Sequence, residues 1–146
     1  MRPLNHIEKN TIKGYIKNKL DISNIIKDKD IKGEDFSRAI IKSFSWTNTD
    51  ISNCNFTNTE FGSEGQRNSF LSTILDNCNF KNAKFNGQVW MRNCKARNCN
   101  FTGANLATLE YQNTDFSKSS FCGAIIKITA KLGIGAIFPP EMFYDL

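Results

Sequence analysis

The sequence predicts an all-β solenoid. Three observations carry that prediction: a large apolar residue recurs at every fifth position, a small residue stands two places before it, and a turn-tolerant residue stands two places after it. The large residues fall at Ile31, Phe36, Ile41, Trp46, Ile51, Phe56 and Phe61, then at Phe70, Leu75, Phe80 and Phe85. They resume at Met91, Ala96, Phe101, Leu106, Tyr111, Phe116, Phe121 and Ile126. The preceding small residues include Ala39, Thr59, Thr73, Ala83, Cys94, Ala104, Thr114 and Ser119. The following ones are mostly Asn, Gly or Ser and include Gly33, Asn48, Asn53, Asn58, Asn77, Asn82, Gly87, Asn93, Asn98, Gly103, Asn113 and Gly123, types that accept a left-handed backbone. A period of five matches neither 3.6 nor 2, so neither an amphipathic helix nor a long half-buried strand accounts for it.

Two inward residues and a corner in each five describe one short side of a coil, and four sides close a coil of about twenty residues. Assigning the large residues to four faces in rotation from Ile31 puts Phe36, Phe56, Phe80, Phe101 and Phe121 on face two. Their separations of 20, 24, 21 and 20 residues require a four-residue insertion within residues 62 to 69 and a one-residue insertion at 86 to 88. Cys54, Cys78 and Cys99 fall on the same face as the small partners of Phe56, Phe80 and Phe101. "NCNF", which occurs three times, therefore marks a structural period and not a metal site, since stacked coils offer thiolates in a line and zinc needs a tetrahedron.

"ANLAT", "CNFTG", "TDFSK", "TDISN" and "CNFTN" resemble the unit of the pentapeptide-repeat family: a small residue, Asp or Asn, a large Leu or Phe, and two variable residues. The resemblance covers residues 24 to 128 and implies a right-handed quadrilateral parallel β-helix of about five coils. Coils spaced about 4.8 Å apart would make a rod of roughly 24 Å. Departures gather on face four, where Phe44, Val89 and Leu109 occupy the small position and Asn68 follows the loop. That face is expected to be distorted or covered by a terminal segment.

Solenoid ends expose strand edges and need caps. Residues 1 to 23 are expected to form an N-terminal cap, with Ile12, Tyr15, Ile16 and Leu20 at roughly helical spacing, although "LDISN" at 20 to 24 echoes "TDISN" and reads as an incomplete coil. Residues 129 to 146 leave the pattern and carry Leu132, Ile134, Ile137, Phe138, Met142, Phe143, Tyr144 and Leu146. They are expected to cover the last coil or to pair with a second subunit, and the resemblance implies a homodimer through this C-terminal segment.

Composition bounds the function. The chain of 146 residues reads as one domain; it has no stretch approaching a membrane span and an odd count of five cysteines, so it reads as cytoplasmic with reduced thiols. His6 is the only histidine, which leaves no His cluster or Ser-His-Asp triad. No enzyme activity, metal or cofactor is expected. The net charge of +5 sits mainly in residues 1 to 43, with ten Lys/Arg against six Asp/Glu, while the repeats are close to neutral. The main expectation is a rigid scaffold for a protein partner, with Glu64, Gln66 and Arg67 of the loop and outward-facing Trp90 as candidate contacts. The resemblance also implies a second reading, a DNA-mimicking modulator of DNA gyrase or topoisomerase IV. The near-neutral repeats argue against it, and Asp30, Asp50, Asp76 and Asp115 make only a thin acidic column. Lys81, Lys84, Arg92, Lys95 and Arg97 suggest a third, weak nucleic-acid binding.

Overall fold

The computed structural model describes residues 1 to 143, and the backbone follows the five-residue period around four sides. On face three, β1 (Ile40–Ile41), β3 (Glu60–Phe61), β5 (Lys84–Phe85), β7 (Asn105–Leu106) and β9 (Ile125–Ile126) form a five-stranded sheet in that order. On face four, β2 (Ser45–Thr47), β4 (Arg67–Leu71), β6 (Gln88–Arg92) and β8 (Leu109–Glu110) form a four-stranded one. Faces one and two are stitched by isolated parallel bridges, Asp50 to Ile74 to Lys95 to Asp115 and Asp35 to Asn55 to Asn79 to Asn100 to Ser120. Every pairing is parallel, because each coil returns to the same side in the same direction.

The registers reproduce both insertions. Ile40 pairs with Glu60, Glu60 with Lys84, Lys84 with Asn105 and Asn105 with Ile125, so successive rungs are 20, 24, 21 and 20 residues apart. Five rungs on face three bound four complete turns, fewer than the five coils expected from the repeat. The flanking turns are incomplete for a shared reason. At face four the single-turn helix α2 (Ser23–Ile26) precedes β2, and α3 (Ala130–Gly133) follows β8, so helix stands where a strand would continue. Asp21 pairs with Ile40, which makes "LDISN" part of the incomplete first turn.

Face four departs from expectation. The large residues at its small position do not distort it: β6, with Val89 there, runs five residues, as does β4 with Asn68, while β8 with Leu109 has two. β6 alternates inward Val89 and Met91 with outward Gln88, Trp90 and Arg92. Where a large residue replaces the small one, the backbone stays extended and side chains alternate across the sheet at a period of two. Asn68 replaces an apolar group without leaving a polar orphan: its side-chain oxygen accepts from Phe44 N–H at 2.9 Å and its amide donates to the Lys42 carbonyl at 3.4 Å.

The core is a continuous aromatic stack. The rings of Phe56, Phe80, Phe101 and Phe121 lie 5.2, 4.9 and 5.0 Å apart at successive steps, and Phe36 adds a step of 5.9 Å. At the N-terminal end, helix α1 (His6–Lys17) is closed by a capping box, with Asn5 accepting from Glu8 N–H and the Glu8 carboxylate accepting from Asn5 N–H. Only part of the expected apolar stripe faces the core. Ile12 is buried and Ile16 half-buried, but Tyr15 and Leu20 are exposed, because the helix touches the solenoid along a narrow edge. At the other end Ile137 pairs with Asp115, and the Phe138 ring stacks on Phe116 at 5.1 Å. Residues up to Phe138 thus cover the last coil, while Ile134 and Ile137 point outward. Tyr144 and Leu146, expected in the same segment, lie outside the described residues.

Candidate functional site

Three groups recur through the five-residue units wherever the residue type permits. The small residue donates across one coil to the carbonyl of an earlier large residue: Thr59 to Phe36 at 2.7 Å, Thr114 to Met91 at 2.6 Å, Ser119 to Ala96 at 2.7 Å. Cys54, Cys78, Cys94 and Cys99 do the same, with Sγ 2.9, 3.2, 3.2 and 3.1 Å from the carbonyls of Ile31, Ile51, Phe70 and Leu75. The Asp or Asn before the large residue folds its side-chain oxygen onto the backbone N–H two residues on, as Asp50, Asn55, Asn79 and Asp115 do. The corner residue has positive φ at all twelve positions that the sequence marks with Asn or Gly. Function must therefore sit on what the repeat leaves outward.

Face four carries the densest outward cluster. Trp90 is half-buried; its indole N–H donates to the Glu110 carboxylate, its register neighbour one coil on. The Arg92 guanidinium lies 4.6 Å from the ring centroid and Arg67, where the loop enters β4, lies 6.0 Å away. Glu110 also accepts from Gln88 at 3.0 Å and Gln112 at 3.3 Å, and pairs with Arg92 at 3.8 Å. Burial alone raises the Glu110 carboxyl, but the hydrogen bonds from Gln88, Trp90 and Gln112 and the charge of Arg92 outweigh it and hold the group below its ordinary value. An ionised carboxylate committed to four partners is a structural acceptor and not a general base.

The two insertions meet beside this cluster. A side chain at Gly87 would run into the carbonyls of Ser63 and Gln66, and one at Gly62 into that of Asn86. Gln88 N–H donates to the Gln66 carbonyl at 3.0 Å. The single extra residue at 86 to 88 is thus the seat of the four-residue loop, whose Glu64, Gly65 and Gln66 are exposed. Repeat, corners and closed four-sided coil now agree. The fold is a pentapeptide-repeat solenoid.

No protein-family model and no curated protein matches the sequence. Among solved structures the solenoid is similar to the pentapeptide repeat protein HetL of the cyanobacterium Nostoc sp. strain PCC 7120, at 14% identity and a TM-score of 0.43, over 77% of this chain and 60% of that one. It is similar to a pentapeptide repeat protein of the Arabidopsis thaliana thylakoid lumen at 17% identity and a TM-score of 0.29, over 70% and 64%. Rfr23 of Cyanothece 51142 matches at 15% identity and a TM-score of 0.27, over 64% and 63%. The chain spans less than two thirds of the length of each of these structures.

The solenoid distributes the other sequence candidates. Arg67 and Trp90 are brought together, with Glu64 and Gln66 on the adjoining loop. Glu110, Gln88 and Gln112 were missed, and Arg92 was read only as part of the basic run, because the four meet only across one coil; writing the outward residues in columns about 20 apart would have found them. The basic run does not form one patch, because Lys84 lies on face three, Arg92 on face four and Lys95 on face one. Arg97 is held by Asp76 at 2.6 Å and Arg92 by Glu110, so two of its cations are neutralised. Among the described residues no group of three or more His, Cys, Asp or Glu could hold a metal, and no helix is long and apolar enough to cross a membrane.

Proposed function

We propose that the protein is a non-enzymatic, rigid scaffold that binds a protein partner through face four and the adjoining loop, with Glu64, Gln66, Arg67 and Trp90 as contacts. The observation that supports this reading is the half-exposed Trp90 indole, fixed by Glu110 and flanked by Arg92 and Arg67 on a regular sheet. Trp and Arg are the residues that most often dominate interface energies, and side chains already held in place lose little entropy on binding. The test is photo-crosslinking from a probe at residue 84, outside the cluster, against one at residue 67, in extract from the source cell. A specific product is expected from residue 67 alone, and Trp90→Ala should abolish it while leaving the melting temperature within a few degrees. Equal products from both positions, or indifference to Trp90→Ala, would reject this face.

A second copy is a further partner that one observation favours. Ile125, Ile128, Ile134 and Ile137 are all exposed at the C-terminal end. Sedimentation velocity should then show a dimer that Ile134→Lys converts to monomer; a wild-type monomer at high concentration would end this reading. The gyrase and topoisomerase IV reading draws no support from the charge pattern, because Ile74 and Lys95 interrupt the column of Asp50 and Asp115. Gyrase supercoiling is expected to be unchanged when the protein is titrated in, with or without a fluoroquinolone. Inhibition or protection at low concentration would put that reading first.

A further inference from the structure

The two ends of the face-four sheet are closed differently. At the C-terminal end α3 covers β8: Tyr111 N–H donates to the Leu132 carbonyl at 2.8 Å, and the Gln112 side chain donates to the Lys131 carbonyl at 3.1 Å. At the N-terminal end α2 stands in the strand's place, but among the described residues no backbone hydrogen bond passes from it to β2. β2 is therefore an open sheet edge.

The register identifies which groups are free. Ser69 N–H donates to the Phe44 carbonyl and Asn48 N–H to the Leu71 carbonyl, so Phe44, Trp46 and Asn48 direct their backbone groups to β4. Ser45 and Thr47, alternating with them, direct theirs the other way. The Thr47 carbonyl takes the Thr49 hydroxyl at 2.8 Å. Both backbone groups of Ser45 and the N–H of Thr47 face a groove of about 520 Å³ between α2 and β2.

The groove has an apolar floor and a basic rim. Phe44 and Trp46, at 8% and 9% exposure, are the least completely covered residues of the buried core, and both line it. Lys27, Lys29 and Arg67 stand around it against Asp28 as the single carboxylate. Lys29 reaches Glu8 at 4.0 Å, whereas Lys27 and Arg67 have no ion pair among the described residues.

We propose that this groove takes an extended acidic segment of a partner protein, which adds to β2 as a further strand. The backbone of Ser45 and Thr47 supplies the hydrogen bonds; alternate side chains lie over Phe44 and Trp46, and the acidic ones meet Lys27 and Arg67. This is strand addition at a sheet edge, with affinity from the main chain and selectivity from the alternating side chains. It uses the edge of β2 and not the outward face of β6, and Arg67 is the one residue it shares with the Trp90 reading.

The probe is a blocked, fluorescein-labelled heptapeptide of alternating Glu and Val, titrated into the full chain and followed by polarisation, with a Lys-for-Glu peptide as control. Saturable binding is expected, about tenfold weaker for the Lys peptide. Amide exchange of Ser45 and Thr47 should slow on binding. Ser45→Pro and Thr47→Pro remove only groove-facing donors, so they should keep the fold and weaken binding about tenfold, while Trp90→Ala leaves it unchanged. No binding, equal binding of both peptides, binding without slowed exchange, or binding indifferent to both prolines in folded variants overturns the proposal. A dimer through β2 that excludes the peptide overturns it in favour of a second copy.

Discussion

Phe80 stacks between Phe56 and Phe101 at 5.2 and 4.9 Å and is fully buried, so its ring has neighbours above and below that cannot close over its loss. Phe80→Ala should cost about 3 to 5 kcal/mol in denaturant melts. A corner residue tests backbone and not packing. Lys118 holds φ at 60°, a conformation that strains any Cβ, and its side chain is exposed. Lys118→Gly relieves that strain at some entropic cost and should stabilise by about 0.5 to 1 kcal/mol, seen as a higher melting temperature. The thiols test the small position. Burial pushes Cys94 up to about 11 and Cys99 up to about 12, and Cys54 and Cys78 are buried beside them, whereas Cys122 is exposed. Ellman's reagent at pH 8 should therefore titrate one thiol rapidly in the native protein and all five in guanidinium.

At the scale of elements, α1 carries a pH dependence with a definite sign. The Arg2 guanidinium at 2.7 Å and the Asn5 N–H hold the Glu8 carboxyl down to about 2, from an ordinary value near 4.5. A depressed acid contributes stability above its unfolded value and loses it as pH falls through the folded one. The cap should loosen between about pH 4.5 and 2, read as faster amide exchange in α1, and Glu8→Gln should remove that dependence. The loop offers a second test. Removing residues 63 to 66 restores the coil spacing, yet it strips Gln88 N–H of its Gln66 acceptor and leaves Gly87 as an unmatched extra residue. That deletion should cost about 1 to 3 kcal/mol, and deleting Gly87 with it should recover most of the loss.

For the whole molecule, each coil touches only its neighbours, so the cost of an identical truncation depends on its place in the stack. Phe121 lies at the end of its column and is half-buried, and Phe121→Ala should therefore be milder than Phe80→Ala. Equal losses would mean that the last coil is as enclosed as the middle one. The same asymmetry of ends leaves β8 covered by α3 and β2 open beside α2.

The repeat was legible because each of its positions answers to one physical demand. Positive φ admits Asn and Gly at the corners, the coil interior admits one large and one small side chain, and both insertions appear as breaks in the count. The Phe column and the three "NCNF" positions could therefore be placed by number alone. Outward residues carry no such demand. Trp90 and Glu110 are 20 positions apart, and nothing local ties an indole to a carboxylate until the coil closes between them. Face four was misread because a large residue in a small position looks like a fault along the chain, whereas in the sheet it is an inward side chain at a period of two. The terminal helical turns were hidden for a related reason: "SNII" continues the pattern, and nothing local marks that it coils beside β2 instead of pairing with it. The sequence by itself determined the coil, its period and its core. Only the tertiary structure decided which outward groups meet and which sheet edge stays open, because both depend on contacts one full coil away.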